Sequence, residues 1–502
     1  MRQINRSALA ALAATLIAGA PASAGEVTRV RGDRAVRVND PFVPSKAEVA
    51  LGPPSAAAAA SARAGARVPA AGARVDRRAV FRALRRGTPD KAAARRWRRW
   101  YVRSLSTYRH LAGARRQQLG YVIDSVEALA LGGRLSRTRM PAAFVQLERN
   151  RRYWRSLPYP AAGDQVSFRG SEILYQYFPG QGLQLHPLST FKKANLMHGA
   201  CERGESACDE KGLRRLLDEM AALAVRRSRR FIAWEYAFSF GGGSPPWISG
   251  MAQATGIQAL ARAAKLLNEP RYVDVARKAL GTFETLPPTG VRTTGPAGGV
   301  HYLQYSFAPR LYIFNAFLQA LIGLHDFGKL TGDARATKLF REGEPEARSE
   351  VPLSDVGDWS RYSYRGAESN RDYHELLREF LQSMCTRRLG DLYCDYAARY
   401  RGYQVDPPEL VYSGPQAATE DQLVVLRFTI SKLSVVEVKV IRGGKLVFSR
   451  LATVRRGTSA FAWRPRGPGV FRVQLAAKEL RTGLGKRDRD SAEIQVENVP
   501  GQ

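Results

Sequence analysis

A mainly α-helical body followed by a C-terminal β domain is the fold class that this 502-residue sequence predicts, and three observations predict it. From residue 89 to about 403, apolar residues recur at helical spacing in segment after segment. Between residues 248 and 403 these segments come as pairs joined by tight connectors, a pattern of stacked helical hairpins such as an α/α toroid or solenoid. Past Pro407 the apolar period changes to two. A hydrophobic content of 44% over this length is enough for two or three domains with their own cores and excludes a chain disordered throughout.

In chain order, residues 1–6 carry two arginines, residues 8–20 form an apolar run, and Ala22-Ser23-Ala24 offers small residues at a cleavage position. This reads as a secretory signal peptide over residues 1–24, so the mature chain is expected to begin near Gly25 outside the cytoplasm, secreted or otherwise extracytoplasmic. No later stretch approaches the roughly 18 to 20 apolar residues that span a bilayer. Residues 25–88 are rich in Ala, Arg, Pro and Gly without a sustained apolar period and read as a flexible basic leader, with possible cell-envelope association. The helical body is expected over residues 89–407. Its first segments, PDKAAARRWRRWYVRSLSTYRHL, ARRQQLGYVIDSVEALAL and PAAFVQLERNRRYWRSL, each place apolar residues on one helical face. The basic and aromatic interleaving in RRWRRWY suits stacking on sugars or bases, but an amphipathic helix explains it without a ligand. Residues 163–243 read as loops and short elements with one helix over 212–228. The run FGGGSPPW lacks the lysine of a phosphate-binding loop. Helices are expected over 248–267, 271–285, 309–329, 333–343, 370–384 and 389–403, with Asn268-Glu269-Pro270 and Thr331-Gly332-Asp333 as stop and cap signals. Residues 408–502, with LVVLRFTI, SVVEVKVI, KLVFSRLA, SAFAW, VFRVQLA and SAEIQVE, read as an immunoglobulin-like β-sandwich of roughly 90 residues.

The formal net charge of +33 favours anionic partners such as an acidic polysaccharide, an anionic surface or nucleic acid, although a general bias towards Arg, Ala and Gly explains it equally. Four cysteines fall into two local pairs, Cys201 with Cys208 and Cys385 with Cys394, and in an exported protein these read as disulfides. A zinc site is the competing reading, but neither spacing is of the two-residue type and only His198 lies near a pair.

Chemistry concentrates between residues 299 and 374. There Tyr302, Tyr305, Tyr312, Tyr362, Tyr364 and Tyr373 stand in sequence among Arg310, Arg361, Arg365 and Arg371, in two clusters that flank a helical hairpin able to fold them together. A phenol beside a guanidinium has a lowered pKa and can both take and give a proton. An aromatic core with solvated arginines is the bland alternative. His301 and His374 lie nearby in sequence, where a structural role is the commoner one, and Glu368 and Asp358 are carboxylates able to act as bases or as helix caps. No clustered ligand motif implies a metal, and no cofactor is expected.

The pattern of Trp247, Ser249, Met251, Ala252 and Gln253, followed by an Asn315-containing helix with LIGLHDF, then LSDVG, then Asp372-Tyr373-His374, resembles the C-terminal domain of D-glucuronyl C5-epimerase over residues 245–403. Upstream, YFPGQGLQLHPLSTF is similar to a substrate-cleft segment of that family. The resemblance implies an incomplete α/α toroid that acts on a hexuronic acid within a polysaccharide, removing the C5 proton and returning one from the other face. It places the family's tyrosines on Tyr305, Tyr362 and Tyr373. Where the family has a glutamate before the first tyrosine, this chain has Gln304, so either a tyrosine takes over as base or the reaction is lost in one direction; the expectation is a weak or altered epimerase whose base is a tyrosine. Proton abstraction beside a carboxylate also requires that carboxylate to be neutralised, for which Arg310, Arg361, Arg365 and Arg371 are candidates. Gln304, Arg310, Arg365, Arg371, His374, Trp247 and Gln253 are thus the expected substrate-binding residues. The expected function is a secreted uronate C5-epimerase on an anionic polysaccharide, with no nucleic-acid partner. A β-eliminating polysaccharide lyase and a non-catalytic glycan-binding protein are the alternatives.

Overall fold

The computed structural model describes residues 25–49, 77–87 and 90–498. The expected signal peptide and residues 50–76 of the expected leader lie outside them. The fold is mixed rather than all-helical up to residue 403, and the difference begins within the leader. Gly25–Arg31 (β1) and Arg34–Asp40 (β2) form a hairpin, and β1 runs parallel to Gln165–Phe168 (β3) with Val27 opposite Gln165. Tyr175–Phe178 (β4) and Gly182–Leu185 (β5) complete a five-stranded sheet in the order β2-β1-β3-β4-β5. Val27 and Val30 are the buried side chains that hold β1 against the body. Within 77–87, which composition also assigns to the leader, Arg77–Gly87 forms helix α1 and buries Ala79, Val80 and Leu84.

Helices α2 (Lys91–His110), α3 (Gly113–Leu131) and α4 (Met140–Ser156) follow. Asp90 caps α2 by accepting from the Ala92 N–H, satisfying one of the donors that a helix start leaves open. The aromatic residues of RRWRRWY serve packing here: Trp97 stacks on Phe144 at 5.7 Å, and the buried Tyr101 donates its hydroxyl proton to Glu127.

Beyond the sheet come α5 (Pro187–Glu202), α6 (Glu210–Leu223), the short ribbon Val225–Arg226 (β6) with Ile232–Ala233 (β7), α7 (Gly250–Leu266) and α8 (Arg271–Ala279). The ribbon Arg292–Thr294 (β8) with Val300–Tyr302 (β9) leads to α9 (Phe314–Thr331), α10 (Ala334–Glu350), α11 (Arg371–Thr386) and α12 (Asp391–Val405). Helices α5, α7, α9 and α11 pack side by side in one row, and α6, α8, α10 and α12 each cover the helix before them. The inner helices α7 and α9 are buried on nearly every face, which their apolar residues allow because helices surround them. Their crossing is close: a Cβ at Gly323 would stand 2.4 Å from the Ala254 carbonyl oxygen. Asp326 on α9 locks the row electrostatically. It accepts from Arg387 at 2.7 and 2.8 Å, Arg262 at 2.9 Å and Gln258 at 2.7 Å. Burial alone would raise its pKa, but the hydrogen bonds and charges around it hold the carboxyl far below the usual range. Both expected disulfides are present, Cys201–Cys208 at the end of α5 and Cys385–Cys394 between α11 and α12. Among the described residues, no helix is long and apolar enough to cross a membrane.

The C-terminal domain is built from two sheets that share one core. Leu410–Tyr412 (β10), Val424–Ile430 (β12) and Gly457–Trp463 (β15) form a three-stranded sheet, while Ala417–Thr419 (β11), Ser434–Arg442 (β13), Lys445–Val454 (β14), Gly469–Glu479 (β16) and Arg487–Glu497 (β17) form a five-stranded one. Alternate residues Val424, Leu426, Phe428 and Ile430 face Val436, Val438, Val473 and Ile494 in that core, as a period-two sequence requires.

Candidate functional site

The three tyrosines arrive on three different elements. Tyr305 lies on the segment between β9 and α9, which is stitched to the start of α7 by hydrogen bonds from Gly250 N to Leu303 O and from Ser306 N to Ile248 O. Tyr362 lies on an irregular ribbon over residues 359–369, whose rungs include Tyr362 N to Ala367 O, and whose outer edge meets the start of α9 through Phe314 N to Tyr362 O. Tyr373 occupies the first turn of α11, where its N–H is capped by Asn370. The Tyr305 and Tyr362 hydroxyls share a hydrogen bond, and the Tyr362 and Tyr373 rings are 4.8 Å apart. Below them Trp247 meets Tyr305 edge-on at 5.7 Å and stacks on Tyr236 at 4.1 Å.

Burial sets the electrostatics of this cluster. It pushes Tyr373 up to about 12, with the neighbouring Asp372 charge adding to the rise. Tyr305 and Tyr362 go higher still, through burial first; the Tyr362 and Tyr373 phenols add to the rise at Tyr305, and Tyr373 adds to it at Tyr362, where the hydrogen bond with Tyr305 acts the other way. The sequence expectation of arginine-lowered phenols is therefore reversed: in the free protein these hydroxyls hold their protons firmly.

Backbone geometry explains why the arginines do not join them. Arg371 is two residues from Tyr373 on a helix, about 200° around its axis, and is exposed. On the ribbon, neighbours point to opposite faces, so Arg361 leaves Tyr362 and donates to the Gly366 carbonyl at 3.0 Å. Arg365 sits at the ribbon tip with a positive φ of 54° and lies over Tyr364 at 5.1 Å. Arg310 is exposed in the segment before α9.

Several other expected substrate contacts are framework. Trp247 is 1% exposed and donates its indole N–H to the Phe238 carbonyl. Gln253 is fully buried, with its amide exchanging two hydrogen bonds with the Trp234 backbone. His374 is also fully buried. It stacks on Trp359 at 3.6 Å and bonds to Ser360 Oγ and the Tyr400 carbonyl, and burial pushes it down to about 4. His301 is paired with Glu350 at 2.8 Å. Gln304 accepts from Ser249 Oγ at 3.1 Å, and Ser249 in turn caps α7. Asp358 and Glu368, read as possible bases, are both paired with Arg481. In the segment YFPGQGLQLHPLSTF, His186 caps α5 and its ring meets Tyr236 at 5.4 Å, so this stretch backs the site's aromatic floor. Sequence reasoning missed Tyr236, Trp359 and Arg481. A strand-like run, WEYAF, was the one available signal for Tyr236, whereas Arg481 comes from a different domain and nothing local marks it.

The model of a family described as D-glucuronyl C5-epimerase C-terminus matches residues 227–402, the span that carries all three tyrosines. A D-glucuronyl C5-epimerase of Caenorhabditis elegans is 30% identical over 178 residues, covering 32% of this chain and 29% of the relative. An uncharacterized protein of Methanocaldococcus jannaschii is 27% identical over 190 residues, covering 37% of this chain and 62% of the relative. The chain thus matches less than two thirds of the length of these curated relatives. Among solved structures, cellobiose 2-epimerase from Spirochaeta thermophila aligns with 59% of this chain and 73% of its own at 16% identity and a TM-score of 0.32.

Proposed function

Because residues 227–402 belong to the D-glucuronyl C5-epimerase C-terminal family, we propose that this chain is a uronate C5-epimerase acting on an anionic polysaccharide outside the cytoplasm. The observation that carries the reading is the convergence of Tyr305, Tyr362 and Tyr373 from three separate elements onto one another. Inversion at C5 needs one group to take the proton and another to return a proton from the opposite face of the ring. A cluster of phenols supplies both kinds of group. Abstraction breaks the C5–H bond and moves its electron pair into the adjoining carboxyl group; return of a proton to C5 from the other face gives the epimer, with no change in oxidation state or chain length.

Tyr305 and Tyr362 suit one side of this exchange as a coupled pair. When Tyr362 loses its proton, the Tyr305 hydroxyl donates to its oxygen and stabilises the charge, which is how a hydrogen bond to the charged form acts. Tyr373, on the first turn of α11, is the separate proton carrier. The helical rows are read as an incomplete α/α toroid that holds these groups, and the C-terminal domain as an immunoglobulin-like accessory module.

Incubation with a polyuronate in heavy water tests the reading. The expected result is deuterium at C5 without chain shortening. An unsaturated product with strong ultraviolet absorbance would establish a β-eliminating lyase instead, and binding without either signal would leave a glycan-binding protein.

A further inference from the structure

We infer that Arg481, supplied by the C-terminal domain outside the family match, is a positioning residue that sets the place of Tyr362 by clamping both arms of the ribbon that carries it. The inference rests on the reading of Tyr362 as part of the proton-exchanging cluster. Asp358 and Glu368 stand at the base of the ribbon, one on each arm, and Arg361 pairs across to Glu368 in its backbone ladder. A single guanidinium joins them. Arg481 donates to Asp358 at 3.1 to 3.3 Å through Nε and Nη2 and to Glu368 at 2.5 Å through Nη1. The planar fork of arginine can reach two carboxylates at once, which a lysine ammonium does with far less directional control.

The clamp is buried and reinforced. Side-chain exposure is 10% for Arg481 and 4% for Asp358, and 29% for Glu368 on the outer arm. Asp358 also accepts from the Leu433 N–H at 2.9 Å, and Arg455 reaches Glu368 at 3.2 Å. The Arg481 guanidinium lies 6.0 Å from the ring of Trp359, which stacks on His374 next to Tyr373. Gly357, just before the ribbon, has φ of 89°, and a Cβ there would stand 2.3 Å from the Arg456 guanidinium. The two domains therefore touch directly at the ribbon's base.

Docking of the domain does not depend on this clamp alone. Lys432 donates to the carbonyls of Gly402, Tyr403 and Asp406 at the end of α12, where a cation also complements the helix dipole. Removing the Arg481 fork should free the ribbon while the domains stay together.

The test uses the full chain with Arg481→Met, Arg481→Lys and Glu368→Gln. Amide hydrogen exchange of residues 359–369 is read beside that of α7, α9 and the C-terminal core, together with kcat and KM for C5 deuteration of polyglucuronate. Arg481→Met should raise exchange of the ribbon about tenfold or more while the other regions keep their protection. It should lower kcat about 10- to 100-fold with KM nearly unchanged, as misplacement of a reacting group does. Arg481→Lys should recover part of both effects. Unchanged ribbon exchange in a folded Arg481→Met protein overturns the inference, as does a general loss of protection with kcat and KM moving together. Should Arg481→Met not fold, Glu368→Gln decides, since it weakens one arm only and must loosen the ribbon if the clamp is real. A wild-type protein without C5 exchange would overturn the epimerase reading, and amide exchange would then decide the ribbon's placement by itself.

Discussion

Raising the pH from 7 to 10 should accelerate C5 exchange about tenfold per unit, because the base in the proposed reaction is a phenol that burial keeps protonated. Tyr373 is pushed up to about 12, and Tyr305 and Tyr362 lie higher. At pH 8 a group of pKa 12 is ionised in about one molecule in ten thousand, and that fraction grows tenfold with each unit. A carboxylate base would instead give a plateau above about pH 6. The useful window closes near pH 10. Phenols raised above their ordinary value add stability that is fully present below pH 10 and is lost as the pH rises through the folded-state values. Tyr373→Phe should remove about 10²- to 10⁴-fold of the exchange rate, equivalent to about 2.7–5.4 kcal/mol of barrier. Its cost in stability should be only about 1 kcal/mol, since the ring still packs against Tyr362 and one hydrogen-bonding group is lost. Deuterium incorporation measured across pH for the wild type and Tyr373→Phe, beside urea unfolding of both, separates the two effects. A plateau between pH 6 and 8, or a rate loss no larger than the loss of folded protein, would refute the phenol mechanism.

Gln304→Glu should change neutral-pH exchange by no more than about threefold, because its oxygen would stay bonded to Ser249 at the start of α7, where a helix N-terminus favours the anion and makes it a weak base. A large activation in the deuterium assay would show that a carboxylate belongs at this position. Asp326→Asn should cost about 3–5 kcal/mol in urea unfolding, since it leaves the half-buried Arg262 and Arg387 without their shared counter-charge. His374 and His186, pushed by burial to about 4 and about 3, are neutral in the fold. Their contribution to stability is present above pH 6.5 and is lost as the pH falls towards those values. His374→Gln should flatten the stability profile between pH 6.5 and 4 by up to about 1.4 kcal/mol per unit, measured as urea midpoints against pH.

Elements whose partners are close in sequence are legible from the order of residues alone. The C-terminal strands announce themselves because one face of each is buried and the other is not, as in the alternation of Val424, Leu426, Phe428 and Ile430. The helical pairs are marked by caps such as Asp333, which accepts from the Ala336 N–H. The hairpin β1–β2 escapes because β1 has few buried side chains, its neighbour β3 lies far along the chain, and Val27 packs on a residue as distant as Leu174. At the site, sequence proximity groups six tyrosines with four arginines, whereas the structure brings Tyr305, Tyr362 and Tyr373 together, commits Tyr302 to the Leu339 carbonyl and turns the arginines elsewhere. Odd spacing on a ribbon and a spacing of two on a helix both separate side chains that are neighbours along the chain. Trp247, Gln253 and His374 carry polar groups that suit a ligand, and only their backbone partners reveal that those groups are already committed.

The parallel pairing of β1 with β3 also bears on how this chain must be made. During synthesis β1 leaves the ribosome before α1 through α4 exist, and its neighbour β3 follows only after all of them. Pairing across so long a stretch is slow, so an early two-stranded hairpin has to wait with an open edge before it can join the sheet. A version of the protein that starts after Asp40 would reverse the problem, leaving the β3 backbone uncovered on one side and ready to pair with another molecule. The segment that composition makes look dispensable is therefore the one an expression scheme should keep.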